Sequence, residues 1–477
     1  MKDLTKGNPF KLILLFTIPT LIGNIFQQLY NMADTIIVGN TVGPAAFTGV
    51  SLTGPITFMV NGFVIGLTGG FSVRVAQRFG AGDTDGVRRS VAMAYMLTFL
   101  TALVVSAIAV PLSPALLRLM KTPNEYFEYA RVYLMIIFAG LIAMAFYNIV
   151  ASLLRAIGDS RTPLYFLIMS AVLNIGLDYL FIVAFKMRYA GAASATVLSQ
   201  IVSGVCCLLY SLKKYPILRL TKKEFKWDWK LAGGHIYVGL PMALQFSITA
   251  IGSIIMQSAL NGLDLKLPGI VTAFAAANKL DAIAVQAFMA LGVCMTTYVG
   301  QNYGAGDLGR VRKGVMVGLL YSAICWAIGF AFCVGLCEPI MGLFLNVETD
   351  PSIIPLYDNI ISYGKTYLLF QASGYGILAL LIIYRNSLQG INHSAIAMGA
   401  GFAELIARAI TAFVFVRYWE LIGACMSNIF AWFAGAVFVV CAYYIVMHKY
   451  PSPLKKNTPQ TEPSQILAEE QAEVMEE

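Results

Sequence analysis

Four long stretches of the chain contain no Asp, Glu, Lys, Arg or His. Each is longer than the roughly 20 residues that a helix needs to cross a hydrocarbon core about 30 Å thick. Charged residues make up only 12% of the chain and hydrophobic residues 58%, whereas soluble domains have about 25% charged residues. The chain is therefore predicted to be an all-α membrane protein, because lipid offers no partner to an unpaired backbone group. The uncharged stretches are Ser90–Leu117, Tyr189–Leu212, Gly314–Cys337 and Leu421–Met447.

The apolar pattern predicts twelve transmembrane helices separated by turns that contain Gly, Pro or Asp. The first apolar stretch, from Leu12 to Ala33, is long enough to be a span and lacks the cleavage pattern of a secretory signal. The predicted spans are 12–38, 47–73, 89–112, 128–154, 162–185, 189–212, 235–260, 268–298, 314–337, 358–384, 394–417 and 421–447.

A charged turn occurs twice. Gln77–Asp83 reads QRFGAGD and Gln301–Asp307 reads QNYGAGD, an offset of 224 residues in a chain of 477. Basic residues follow both copies at the same distance. A repeat at half the chain length, between apolar segments, predicts two homologous six-helix halves that face each other across a central cavity, as in transporters. We divide the chain into an N-lobe (1–212), a linker (213–234), a C-lobe (235–450) and an acidic, disordered tail (451–477).

The turns contain glycines but no G-K-[ST] sequence and follow no strand, so they are not predicted to bind nucleotides. Their glycines permit a tight turn, and Asp83 and Asp307 are predicted to cap the helices that follow.

Most of the 33 Lys and Arg residues fall in alternate connections, on the side that holds the N-terminus. This bias predicts that both termini lie in the cytoplasm and that the protein spans the inner (plasma) membrane. The net charge of +8 is then explained by topology and contact with lipid headgroups, without a nucleic-acid partner. No enzymatic activity is expected, since neither a nucleophile–base pair nor a metal-ligand cluster is visible. The basic segments are 1–11, 74–89, 155–161, 213–230, 310–313 and 449–456, together with Arg385.

Two of the acids within spans lie on faces that carry no basic residue. Tyr30 and Asp34 are spaced by four residues, as are Asn174 and Asp178, so each pair shares a helical face. Carboxylates without a nearby cation in a low-dielectric lobe are suited to hold a proton or Na⁺ between them. The alternative is that these carboxylates only brace helix packing.

The other charged residues within the spans predict different roles. Glu404 and Arg408 have the spacing of an ion pair within one helix, for which we favour a structural or gating role. Lys279 and Asp281 are only two residues apart and point to different sides of their helix.

Phe288 and Met289 are candidates for a pocket that adapts to apolar cations.

In order along the chain, these features resemble the multidrug and toxic compound extrusion (MATE) family, up to about residue 450. The resemblance is carried by the twelve spans in two halves and by the two GAGD turns. It also rests on Pro19 with Tyr30 and Asp34 in the first span, on Arg155–Asp159 (RAIGD), and on a weaker echo at Gln389–Ser394.

The resemblance implies a V-shaped pair of six-helix bundles that alternates between inward and outward states, driven by entry of H⁺ or Na⁺. It also implies an ion site in the N-lobe. Asp34 and Asp178 would bind the ion, with Asn174, Tyr30 and Thr196 as partners. Na⁺ would be held by Asp34, Asn174, Asp178 and Thr196.

By the same resemblance, Pro19 matches a proline whose helix is proposed to bend on protonation, and Gln27 and Asn148 match pocket residues. Another bacterial branch of the family adds an acidic cation site in the C-lobe. Here Glu404 has Arg408 beside it, which departs from that pattern.

These features predict a monomeric antiporter that exports amphipathic, often cationic, organic compounds in exchange for H⁺ or Na⁺, with no other cofactor. A flippase for lipid-linked oligosaccharides, from the wider superfamily, is one alternative; such proteins tend to have fourteen spans and an arginine-rich cavity. An exporter of a single metabolite is another, and a membrane enzyme is a third.

Overall fold

The computed structural model describes residues 3–42, 44–120, 122–345 and 351–449. Within these ranges, side chains are described except at 31–36, 38–42, 44–47, 343–344 and 351–353. The predicted acidic tail, 451–477, lies outside the described residues.

The described residues form fifteen α-helices and no strand. Two of these helices continue into π-helical turns: α7 through Tyr179–Ala184 and α14 through Thr411–Phe415. The helices are α1 Pro9–Val42, α2 Pro44–Leu52, α3 Gly54–Gly80, α4 Thr84–Leu119, α5 Asn124–Ala139, α6 Leu141–Ala156, α7 Arg161–Asp178, α8 Arg188–Lys214, α9 Trp229–Leu263, α10 Ile270–Gly304, α11 Leu308–Gly335, α12 Cys337–Phe344, α13 Tyr357–Gly390, α14 Ser394–Ile410 and α15 Val416–Lys449.

These helices supply twelve membrane crossings. Ten helical segments of the described chain are long and apolar enough to span a membrane, and the pair α5 and α6, bent by 47° at Gly140, supplies an eleventh. One of the ten, Ser394–Lys449, is 56 residues long and contains a backbone break at Glu420 (φ 42°). Gly435 packs on Glu404 and Gly399 on Phe438, so this segment folds back on itself as two antiparallel spans.

The two halves are packed closely along α3 and α9. A Cβ atom on Gly70 would lie 2.4 Å from the Cα atom of Gly239, and one on Gly66 would lie 2.6 Å from the Cα atom of Ala243. Only residues without a side chain allow backbones to approach this closely. A second boundary between the halves is formed by α1 and α10, where Cys294 Sγ donates to Ile13 O at 3.7 Å.

The repeated turns meet each other at one end of the molecule, which we call the turn face. Asp83 accepts a hydrogen bond from Gly86 N and Asp307 accepts one from Arg310 N, both at 2.8 Å. The predicted capping role of both acids is therefore confirmed. The second glycine of each turn, at 82 and 306, has φ +72°, which explains why glycine is needed there.

The residues before α1 lie against the C-lobe. Leu4 N donates to Gln301 Oε1 at 2.9 Å, and Leu4 O accepts from Asn302 Nδ2 at 3.2 Å and Arg310 Nη2 at 3.0 Å. Leu4, Ile13 and Phe16 belong to the same buried apolar cluster as the C-lobe helices. The start of the chain thus joins both halves at the turn face.

Candidate functional site

Helices α1, α7 and α8 bring together three of the residues predicted to bind the coupling ion. Tyr30 Oη lies 3.5 Å from Thr196 Oγ1, to which it donates, and Asn174 Nδ2 lies 3.4 Å from the same oxygen. Thr196 Oγ1 itself donates to Ala192 O at 3.0 Å. We call Tyr30, Asn174, Asp178 and Thr196 the N-lobe cluster.

Asp178 joins this cluster through Asn174. Both side chains are fully buried. When the Asn174 amide is turned so that its nitrogen faces Asp178, Nδ2 lies 3.0 Å from Asp178 Oδ2 and the amide oxygen lies 3.2 Å from Thr196 N. Asp178 is the last α-helical residue before the π-helical turn of α7, and such turns occur frequently at functional sites.

Asp34 lies on α1, one helical turn after Tyr30, but its side chain lies outside the described residues. Its approach to Asp178 therefore stays a prediction. Pro19 lies inside α1, which is helical from Pro9 to Val42. Because proline has no backbone N–H, α1 lacks one hydrogen bond at this point, and the predicted bending at Pro19 also stays a prediction.

A cleft opens beside the N-lobe cluster between α1, α7 and α8. The space between its lining atoms is about 200 Å³, a volume that includes open solvent. Gln27, predicted to bind substrate, lines this cleft together with Tyr30 of the cluster. The other lining residues are Phe26, Leu167, Ser170, Ala171 and Gln200.

The remaining predicted substrate residues are dispersed. Asn148 is half-buried in α6 and its Nδ2 donates to Met144 O at 2.9 Å. Phe288 is buried against the ring of Tyr375, whereas Met289 beside it on α10 is 39% exposed. These three residues do not join the N-lobe cluster, and their binding roles stay predictions.

The C-lobe ion pair has a third member that the sequence did not reveal. Glu404 Oε2 lies 3.9 Å from Arg408 Nη2, as the spacing predicts, but Glu404 Oε1 accepts a shorter hydrogen bond of 3.1 Å from Arg385 Nη1 of α13. We call Arg385, Glu404 and Arg408 the C-lobe cluster. Arg385 was missed because it lies near the end of its predicted span, where a basic residue is explained by topology alone.

Two repeated bundles of six crossings, each with polar groups buried between its helices, define a multi-pass membrane transporter. The particular family is shown by comparison. The chain belongs to the MatE family, whose model matches residues 19–180 and 241–414. The resemblance inferred from the motifs is thereby confirmed.

Two relatives and one structure illustrate the likeness. The probable multidrug resistance protein YpnP of Bacillus subtilis is 33% identical over 314 residues, which are 65% of this chain and 68% of YpnP. The FAD transporter of Shewanella oneidensis is 23% identical over 405 residues, 83% of this chain and 85% of the relative. A structure described as the outward-facing conformation of a multidrug resistance MATE family transporter has a TM-score of 0.86 and 22% identity, covering 94% of this chain and 98% of that one. The last likeness concerns the fold alone.

Proposed function

We propose that this protein is a secondary antiporter that exports amphipathic organic compounds from the cytoplasm in exchange for H⁺ or Na⁺. The observation that carries the proposal is the N-lobe cluster, in which a fully buried carboxylate, Asp178, lies among amide and hydroxyl groups. A carboxyl group in such a place either takes up a proton or, when it is ionised, needs a bound cation. The name of YpnP, a probable multidrug resistance protein, supports organic compounds as the cargo.

The donor set of the N-lobe cluster suits either coupling ion. Asp178, Asn174, Thr196 and Tyr30 offer carboxylate, amide and hydroxyl oxygens, which are the ligands that hard cations prefer. A proton needs only the carboxylate and an acceptor nearby. Asp34 is expected to complete the site from α1.

Coupling follows from differential binding of the ion and the substrate. An ion that enters through the membrane potential delivers about 2.3 kcal/mol per charge for each 100 mV, which shifts a two-state equilibrium by more than tenfold. If the ion lowers the affinity for the substrate, the substrate must lower the affinity for the ion by the same factor. Because α1 and α7 both contribute to the cluster and α1 also packs on the C-lobe core, ion binding can be transmitted to the boundary between the halves.

In the cell, we place the protein in the inner membrane as a monomer, with its termini and the turn face in the cytoplasm. The positive-inside rule supports this orientation, because the turn face holds the basic segments around 74–89 and 310–313.

Export of a single metabolite is the second candidate, favoured by the relative named as an FAD transporter. A lipid-linked oligosaccharide flippase has less support, since its polyanionic cargo needs many cations. The C-lobe cluster offers two arginines beside one glutamate, a net charge too small for such a cargo.

The direct test is transport in proteoliposomes under one imposed gradient at a time. Purified protein should accumulate the cationic dye rhodamine 123 against its gradient when a pH or a Na⁺ gradient is applied, and Asp178→Asn should abolish this accumulation. Asp85→Asn, at an exposed position in the first turn of α4, is the matched control. Accumulation by the wild type that requires neither gradient would contradict the proposal.

A further inference from the structure

The C-lobe cluster carries more positive charge than a bracing ion pair requires. Two guanidinium groups, of Arg385 and Arg408, contact the single carboxylate of Glu404. The three side chains are buried, with exposed fractions of 9%, 6% and 3% for Arg385, Arg408 and Glu404. One positive charge is therefore uncompensated within the cluster. Asp281, on the neighbouring α10, accepts instead from Tyr375 Oη at 2.8 Å.

The cluster also holds more hydrogen-bond donors than acceptors. Arg408 Nη1 donates to Thr249 O at a long 3.4 Å, and Arg408 Nε has no acceptor within the described part of the chain. The oxygen of Gln245 accepts from Gln389 Nε2 at 3.0 Å, or, with the amide turned, lies 3.2 Å from Arg385 Nε and 3.3 Å from Arg385 Nη1. In the turned orientation the Gln245 oxygen accepts from both of these Arg385 nitrogens, and Arg408 Nε is still left without an acceptor among the described residues.

A purely structural role does not explain this surplus. An ion pair of Glu404 with one arginine would already hold the helices together, whereas a second buried guanidinium adds a desolvation penalty without a matching carboxylate. A buried arginine with an unmatched N–H group calls for an additional acceptor, and the surplus positive charge favours an acceptor that is negatively charged. The planar fork of arginine suits carboxylate and phosphate oxygens.

The internal repeat relates this cluster to the N-lobe cluster. The turns before α7 and α14 match: Asp159 N donates to Leu154 O and His393 N donates to Leu388 O, both at 2.9 Å. The residue before each donor has positive φ, at Gly158 (82°) and Asn392 (73°). Counting onward from these turns, Asn174 and Arg408 occupy the same position in the repeat.

We propose that the C-lobe binds an anionic oxygen group of an amphipathic substrate between Arg385 and Arg408, while the N-lobe cluster takes the coupling cation. This rests on the proposed transport function and extends its substrate class from organic cations to compounds that carry a carboxylate, sulfonate or phosphate. Glu404 then holds the two arginines apart in the empty state and competes with the substrate for them.

Binding of two dyes with one scaffold tests the proposal. Fluorescein and rhodamine 123 share a xanthene ring system, but the first is anionic and the second cationic. The protein is held in nanodiscs of phosphatidylcholine, and dye affinity is measured by equilibrium dialysis. Fluorescein affinity should follow the net charge of the cluster. It should rise at least tenfold in Glu404→Gln, fall at least tenfold in Arg408→Gln and in Arg385→Gln, and return near the wild-type value in the double variant E404Q/R408Q. The affinity for rhodamine 123 should not change in this order.

If the C-lobe cluster has only a structural role, its variants should show a different pattern of unfolding temperature and dye affinity. Each single substitution would then lower the unfolding temperature, the double variant would recover it, and fluorescein affinity would be equal in all variants that fold; this result would overturn the proposal. If the arginine variants do not fold, Glu404→Gln alone decides, since it should still raise fluorescein affinity.

Repeating the measurement with phosphatidylglycerol in the nanodiscs identifies a lipid phosphate as the natural occupant if this lipid displaces fluorescein. Failure of the wild type to transport either dye under a gradient would count against the antiporter function, independently of this binding order.

Discussion

Gln77 and Gln301 cross the boundary between the halves in opposite directions. Gln77 Nε2 donates to Gly390 O in the C-lobe at 2.9 Å, and Gln301 Nε2 donates to Ala156 O in the N-lobe at 2.7 Å. Both side chains are buried. The two glutamines occupy the same position in the repeated turn motif, so this pair of hydrogen bonds follows the internal pseudo-symmetry and closes the turn face.

Removing both glutamine side chains should open the turn face. Each hydrogen bond contributes about 1 kcal/mol. In the double variant Q77A/Q301A, the fraction of molecules whose turn face is open should therefore rise roughly 30-fold. Cys294, buried where α10 meets α1, is a native reporter. Its maleimide labelling, followed by peptide mass spectrometry, should become at least tenfold faster.

Two controls accompany that measurement. Gln286→Ala removes a side chain that donates within α10, to Ala282 O, and should leave labelling unchanged. Cys425, buried in the C-lobe core, should stay unreactive in every variant. Equal Cys294 labelling in the double variant and the wild type would show that the glutamines do not hold this face closed.

Glycines 80 and 304 should tolerate no side chain. A Cβ atom at Gly80 would lie 1.9 Å from Gln301 O, and one at Gly304 would lie 1.9 Å from Gln77 O. Both contacts are with backbone oxygens that have little freedom to move. Alanine at either position should therefore destabilise the closed state by about 1–3 kcal/mol and accelerate Cys294 labelling. Gly233→Ala, where the new methyl group meets open space, is the matched control.

Asp159 should make stability depend on pH. Burial would raise the pKa of Asp159, but hydrogen bonds from Thr162 and Tyr215, together with Lys214, outweigh burial and lower it below its ordinary value of 3.8. Since the folded-state pKa is depressed, the stabilisation is fully present above pH 3.8 and is lost as pH falls through the folded pKa. The unfolding temperature of the wild type should exceed that of Asp159→Asn at pH 6, and the difference should shrink by pH 3. A difference independent of pH would mean that the charge of Asp159 contributes nothing.

Much of the fold could be predicted because lipid imposes helices of a given length. The twelve crossings follow from the apolar pattern and the turns that separate the spans, and the break at Glu420 falls between the last two predicted spans. The bend at Gly140 and the π-helical turns after Asp178 and Ile410 could not be predicted, because they depend on packing between helices rather than on local composition.

Spacing along the chain predicted the candidate site only where its residues are close in sequence, and the family resemblance added Tyr30 and Thr196, which lie near Asn174 in the structure. The four-residue spacing of Asn174 and Asp178 predicts their shared face, and the structure brings them together. Arg385 could not be assigned to Glu404, since the two lie on different helices and no periodicity relates them. The reciprocal contacts of Gln77 and Gln301 depend likewise on how the halves dock.

The central claim is that Asp34 and Asp178 bind the coupling ion, and a comparison of two transport modes tests it most directly. Proteoliposomes with Asp34→Asn or Asp178→Asn are assayed for rhodamine 123 uptake driven by a pH or Na⁺ gradient, and for exchange of labelled against unlabelled dye without a gradient. We predict that both variants lose driven uptake and retain exchange, because the neutral side chain removes ion binding but leaves the substrate path intact. Driven uptake at the wild-type rate in either variant would contradict the account.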